Sequence, residues 1–233
     1  MKSGEAHLFM LRTINQLGLL GGQKGVILAI YMNLDKCISV ILAHPDGNSF
    51  NHAIAHTVVD EFQSNGHAVF FHDLYEEKFA PILAAAEISK DSILPPEIQA
   101  HCDEISEADG IVIIHPNWWG QPPAILKGWV DRVIRPGVAY EFIEEDSGAG
   151  IPNGLLKAKF ALVINTSNTP TEREKSFFGD PLVGLWKKCI FELCGVTTFY
   201  RKMFNVVVVS SKKEREDWLS ESREIVKRIL QNT

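Results

Sequence analysis

From residue 36 onward, short apolar runs alternate with longer segments whose apolar residues recur every three or four positions. Cys37-Ile-Ser-Val-Ile-Leu42 is the kind of run buried on both faces of a parallel sheet, Gly110-Ile-Val-Ile-Ile114 reads as another buried strand, and Ala68-Val-Phe-Phe71 and Phe160-Ala-Leu-Val-Ile164 read as further strands. A fifth strand is expected over Phe204 to Val209. Between them, Ser49 is placed to cap a helix that runs to about Asn65 with Ile54, Val58 and Phe62 on one face. Pro95-Pro-Glu97 opens a helix with Ile98, Cys102 and Ile105 inward. Pro122-Pro123 start one through Ile125, Leu126, Trp129 and Val133. Further helices are expected over Leu182 to Leu193 and Glu214 to Leu230, and Glu144 to Asn153 reads as a surface loop. Strands alternating with helices specify one α/β domain around a doubly wound, five-stranded parallel sheet.

Residues 1–35 stand apart from this pattern as an N-terminal extension to a domain spanning 36–233. Arg12, Asn15, Gln16, Gln23 and Lys24 interrupt the apolar run from Leu8 to Tyr31, and the longest clean stretch, Val26 to Met32, is too short for a secretory leader. No stretch reaches the roughly 18 apolar residues of a spanning helix, so no membrane insertion is expected. Residues 1–31 read either as an appendage or as the product of a start placed too early, with Met32 the alternative start.

Composition narrows the class of partner. The 233 residues carry Lys+Arg 23 against Asp+Glu 29, a net charge of −6, which argues against a nucleic-acid binder. Apolar residues at 45% and charged residues at 22% are those of a globular chain, not a disordered one. Cys37, Cys102, Cys189 and Cys194 form no Cys-x-x-Cys pair and suggest reduced thiols in a cytoplasmic protein.

Open parallel sheets bind ligands beyond the carboxyl ends of their strands. Three loops at such ends carry the candidate chemistry. The first, His44-Pro-Asp-Gly-Asn-Ser-Phe-Asn51, leads into a helix N-terminus, where free N–H groups and the helix dipole suit a phosphate; Ser49 and Asn51 add side-chain donors. Neither Gly-x-Gly-x-x-Gly nor a P-loop is present. His52 and His56 have zinc-ligand spacing but lack the intervening glutamate of a metalloprotease, and no metal site is assigned. The second loop, His115-Pro-Asn-Trp-Trp-Gly-Gln121, sets two tryptophans side by side, so at least one faces outward, where it can stack on a flat ring. Gly120 allows the backbone close to that ring. His115 suits either a core position or the site. The third loop, Asn165-Thr-Ser-Asn-Thr-Pro170, offers small polar groups to a heterocycle edge or a polyol chain.

Pro116-Asn-Trp-Trp-Gly-Gln-Pro-Pro-Ala-Ile-Leu-Lys-Gly-Trp129, continuing through Val-Asp-Arg132 to Gly137-Val-Ala-Tyr140, resembles the central motif of the flavodoxin-like NAD(P)H:quinone oxidoreductases. That group includes DT-diaphorase, the bacterial modulator-of-drug-activity quinone reductases and the flavoprotein ancillary subunits of glutathione-gated potassium efflux. Ala43-His44 followed by Ser49-Phe-Asn51 has the family's spacing, and the likeness covers residues 36 to about 230. The resemblance implies a flavodoxin-like sheet of order 2-1-3-4-5 with helices on both faces, FAD or FMN as cofactor, NAD(P)H as co-substrate, and a homodimer. It implies that His44, Ser49, Phe50 and Asn51 hold the phosphate end of the flavin. Pro116, Asn117, Trp118, Trp119 and Gly120 would meet its ring system, and Thr166, Ser167 and Asn168 its ring edge or ribityl chain. The implied reaction passes hydride from NAD(P)H through the flavin to a quinone by a ping-pong scheme. Hydride transfer needs no acid or base, so no catalytic side chain is assigned. One departure stands out: where DT-diaphorase has a tyrosine and a histidine after the fourth-strand loop, this chain has residues near Glu172 and Phe178, which cannot serve the same relay. A regulatory flavoprotein subunit of a potassium-efflux transporter and a flavodoxin-like electron carrier are the alternatives.

Overall fold

A computed structural model of the chain describes residues 36–142, 150 and 152–233. The expectations for residues 1–35, and for most of the loop from Glu144 to Asn153, fall outside these residues.

Five parallel strands form the sheet: β1 (Cys37–Leu42), β2 (Ala68–Asp73), β3 (Gly110–Pro116), β6 (Phe160–Ser167) and β7 (Phe199–Asn205). Their order is β2-β1-β3-β6-β7, the expected 2-1-3-4-5 arrangement. One register line crosses the whole sheet through Phe71, Val40, Val112, Leu162 and Tyr200. Successive side chains of a strand point to opposite faces, and here both faces are covered, which is why the central strands, Ser39 apart, are apolar until they near their carboxyl ends. Ile38, Val40, Leu42, Val112, Ile114, Leu162 and Ile164 pack under α1 (Phe50–Ser64) and α6 (Lys212–Asn232). Ile41, Ile111, Ile113, Ala161 and Val163 pack against α2 (Pro96–Glu107), α3 (Ala124–Val133) and the helical segment from Pro181 to Glu192. Trp129 and Trp186 are fully buried in this second layer, and each burial of a large apolar side chain contributes about 1.5–3 kcal/mol.

Helix ends follow their local chemistry. Ser49 caps α1 by accepting from His52 N, and Ser211 with Glu214 forms a reciprocal capping box on α6. The segment expected as one helix over 182–193 is a single α-turn, α5 (Pro181–Val183), followed by a π-helix (Gly184–Glu192). The wider π turn brings Trp186 and Phe191, five positions apart, onto one buried face with their rings stacked at 6.0 Å.

Two further elements depart from the sequence reading. The fifth strand is Phe199–Asn205, not 204–209; Val207–Val209 is a 3-10 turn with Val208 and Val209 exposed. As an edge strand, β7 carries the polar pair Arg201 and Lys202 at its centre, which hides its apolar signal, whereas the valine run has already passed the carboxyl end of the sheet. Helix α4 (Thr171–Phe178) was not foreseen, because its only buried residue is Glu174 and it carries no apolar stripe.

The long connection between β2 and α2 is pinned from below. Glu87, on a 3-10 turn (Ala85–Glu87), accepts a bidentate pair from Arg132 of α3, Nε to Oε2 at 2.8 Å and Nη2 to Oε1 at 2.6 Å. Arg132 Nη1 also donates to the Ala80 carbonyl, and Arg135 Nη2 donates to the carbonyls of Glu87 and Ser89. Gly128 sits in mid-helix because any Cβ there would overlap the Pro81 carbonyl of the same connection. Residues 140–141 (β4) and 153–154 (β5) form a small antiparallel pair, Tyr140 opposite Gly154.

Candidate functional site

At the carboxyl edge of the sheet the three loops close around a cleft of about 390 Å3. It is lined by nine residues expected from the sequence, His44, Phe50, Asn51, Pro116, Asn117, Trp118, Thr166, Ser167 and Asn168. Thr169, Val207 and Val208 complete the wall. The valines were missed because they read as strand; Thr169 lies in the third candidate loop but was given no contact of its own.

Strand ends and first helical turns deliver these side chains. Asn51, in the first turn of α1, is buried and exchanges hydrogen bonds with Thr166 at the end of β6, Nδ2 to Oγ1 at 2.9 Å and Oγ1 to Oδ1 at 3.2 Å. Asn117 N donates to the Thr166 carbonyl, joining the β3 and β6 ends. Asn168 Oδ1 accepts from Val208 N at 2.9 Å, which holds the valine turn against the cleft.

The second loop is a tight two-residue turn. Trp118 and Gln121 exchange both backbone hydrogen bonds, at 3.1 and 2.9 Å, and the central residues Trp119 and Gly120 have φ of 57° and 72°. Two positive φ values define a type I′ turn, costless for Gly120 and strained for a tryptophan. The turn leaves Trp118 41% exposed on the cleft wall and projects Trp119 fully into solvent. Asn117 steadies it, accepting from Gly120 N through Oδ1 and donating from Nδ2 to the buried Glu174 of α4 at 2.9 Å. Trp119 and Gly120 therefore frame the turn beside the cleft and do not line it. Glu172 and Phe178 of α4 are both exposed.

Ser49 lies behind the lining, its hydroxyl 2.8 Å from His52 Nδ1, while His52 Nε2 lies 2.7 Å from Asp73 Oδ2. Asp73 in turn accepts from the backbone of Tyr75 and Glu76. His52 is thus engaged by its neighbours, and His56, four positions on, packs beside Phe71. His44 packs between His52 and Trp118, and its pKa is lowered, chiefly by burial.

His115 is a core residue and not part of the lining. Trp186 Nε1, which can only donate, points at His115 Nε2 from 2.9 Å, so that nitrogen is unprotonated and Nδ1–H donates to the Pro116 carbonyl at 2.8 Å. Asn165 Nδ2 adds a second donor to Nε2 at 2.9 Å. Burial, with Arg201 nearby, lowers the pKa of this imidazole to about 4. The network continues from Asn165 Oδ1 to Arg201 and from Arg201 to Asp180, and it braces β3, β6 and β7 beneath the cleft.

The lining holds no carboxylate, lysine or arginine. Its donors are neutral amides and hydroxyls, its walls are aromatic or aliphatic, and one end opens on the first turn of α1, whose N–H groups lack intrahelical partners. Such a set suits a planar heterocycle with a polar edge and a polyol–phosphate tail, so the residues present fit a flavin.

The family of flavodoxin-like fold matches residues 36–229. An uncharacterized NAD(P)H oxidoreductase of Haemophilus influenzae is 35% identical over 184 residues, covering 76% of this chain and 87% of that one. Among solved structures, the NAD(P)H:quinone oxidoreductase of Methanothermobacter marburgensis superposes with a TM-score of 0.72 at 24% identity, over 83% of this chain and 96% of its own. An FMN-dependent NADH-azoreductase of Bacillus anthracis, in complex with FMN, gives 0.66 at 16% identity over 83% and 99%. With the strand order and the loop motifs in agreement, the chain belongs to the flavodoxin-like fold family, in its group of NAD(P)H oxidoreductases.

Proposed function

We propose that the cleft binds a flavin and that the protein uses it to reduce a quinone or similar flat acceptor with NAD(P)H. The observation that carries this reading is the neutral donor set at the carboxyl edge: amides and hydroxyls of Asn51, Asn117, Thr166, Ser167 and Asn168 beside the rings of Phe50 and Trp118. Asn51 and the first turn of α1, with Ser49 behind it, suit the phosphate end. Pro116, Asn117 and Trp118 suit the ring system, and Thr166, Ser167 and Asn168 its edge and the ribityl chain. A bound flavin supplies two-electron redox chemistry that no side chain here can perform. The protein's part is to orient donor and acceptor on the open side of the cleft, where each takes its turn, and to present backbone N–H groups to negative charge. Exposed Trp119 and half-buried Gly120 frame that opening. Trp119, Phe177 and Phe178 stand exposed on the turn and helix that Asn117 and Glu174 join, which supports a homodimer closing over this side. Among the described residues no helix is long and apolar enough to cross a membrane, and all four cysteines are free thiols, in keeping with a cytoplasmic enzyme.

The test is the visible spectrum of the purified protein, before and after reconstitution with FMN or FAD, followed by NADH or NADPH and then menadione. Flavin bands that bleach with nicotinamide and return with quinone are expected, with parallel initial-velocity lines in steady state. Protein that takes up neither flavin overturns the reading. Bound flavin that nicotinamide never bleaches overturns the enzymatic half of it.

A further inference from the structure

Outside the cleft, the end of β2 and the face of α2 gather two histidines and two glutamates. His72 Nδ1 lies 2.8 Å from Glu77 Oε1, and His72 Nε2 lies 2.5 Å from Glu104 Oε2. His101 Nε2 lies 3.6 Å from Glu77 Oε2, and the two imidazole rings are 4.1 Å apart. His101 and Glu104, three positions apart on α2, share the helix face turned to His72, and Glu77 reaches back from the turn after β2. Ligand atoms of His72, Glu77 and His101 all lie within 4.8 Å of one another.

We propose that this cluster is a binding site for a divalent transition-metal ion of the zinc class, ligated by His72 Nδ1, the Glu77 carboxylate and His101 Nε2, with Glu104 orienting His72.

Two imidazoles and one carboxylate form a ligand set that zinc takes and that calcium and magnesium do not. A tetrahedral ion with bonds of about 2.0–2.1 Å holds its ligand atoms roughly 3.4 Å apart. Glu77 Oε1 lies 2.8 Å from His72 Nδ1, Glu77 Oε2 lies 3.6 Å from His101 Nε2, and one ligand atom from each residue lies within 4.8 Å of the others, so an ion would draw the three side chains together, most freely Glu77, the most exposed member at 36%. That exposure also gives an ion its way in and leaves a fourth position to water. Glu104 plays the part of the carboxylate that accepts the second N–H of a metal-bound histidine. Charge points the same way: Glu77 and Glu104 set two carboxylates against His72 in a mostly buried site, where a divalent ion matches them. Ligation through His101 Nε2 places that ring's proton on Nδ1, which ends the 3.3 Å hydrogen bond from Trp129 Nε1. That loss is a built-in reporter. Nothing in this site depends on the cleft binding a flavin.

The experiment is a titration of chelator-stripped protein with zinc chloride against a chromophoric competitor, run on the parent, Glu77→Gln and Glu104→Gln. The parent should bind one equivalent with a rise in Tm and a shift of the Trp129 indole N–H resonance. Glu104→Gln should weaken binding by about 10- to 100-fold, and Glu77→Gln by at least as much. Cobalt in place of zinc should give the intense visible bands of a tetrahedral ion. The proposal is overturned by a parent with no saturable binding, by variants that titrate like the parent, or by a silent Trp129 resonance, the last two placing zinc elsewhere on the chain.

Discussion

Asn51 and Thr166, 115 positions apart, hold each other through both polar atoms of the asparagine amide, and this reciprocal pair ties the start of α1 to the end of β6. Both residues line the cleft, and their side chains are already paired before any ligand arrives. Thr166→Val leaves the Asn51 amide buried with neither partner, and should destabilise by about 1–3 kcal/mol. Asn51→Leu alone should have a similar effect, and the double variant should be less destabilised than the sum of the two. A double-mutant cycle in urea measures that coupling; strict additivity would show that the pair is incidental.

The Glu87–Arg132 pair should behave as a buried ion pair with no water to replace a lost partner. Glu87→Gln or Arg132→Met alone should cost roughly 3–5 kcal/mol, while the double variant Glu87→Leu with Arg132→Met should recover much of it. Hydrogen exchange should show the loss first in the connection from Leu74 to Leu94. Singles that melt like the parent would contradict the arrangement.

His115 predicts a pH dependence. Its folded pKa of about 4 lies below the ordinary 6.5, so unfolding takes up a proton between those values. Stability should therefore be full above about pH 6.5, fall as the pH drops toward 4, and lose on the order of 3 kcal/mol to this group. Other histidines add to the parent's slope, so the readout is the difference from His115→Gln, whose unfolding free energy should fall less steeply across that window. Identical slopes would mean that His115 is already charged in the fold.

Trp119 trades stability for position. Its left-handed backbone costs roughly 1–2 kcal/mol, which Trp119→Asn or Trp119→Gly should partly recover as a higher urea midpoint. On the proposed function the same variants should lower kcat/KM for the acceptor, because the exposed ring is lost from the opening. A variant both more stable and fully active would show the ring to be idle.

Nearly continuous apolar runs at 37–42, 110–114 and 160–164, broken only by Ser39, point to buried parallel strands, because a strand covered on both faces buries every side chain. The three loops at their ends follow from that reading, since ligand-facing side chains of this fold sit where strands stop; the family resemblance picked out within them nine of the residues that line the cleft. Periodicity could not show α4, whose one buried side chain is an acid paired to Asn117, nor that the valine run 206–209 walls a cleft instead of forming the edge strand. Those outcomes depend on which polar partner waits across the fold. Whether His115 belongs to the core or to the site was equally open until Trp186, 71 positions away, supplied the indole N–H that sets its tautomer. The meeting of His72 and Glu77 with His101 and Glu104 has no local signature, because the four residues come from a strand, a turn and a helix that only the packing of α2 brings together. Local patterns record which side chains must be buried. The partners that polar groups need once buried are long-range, and only the tertiary structure names them.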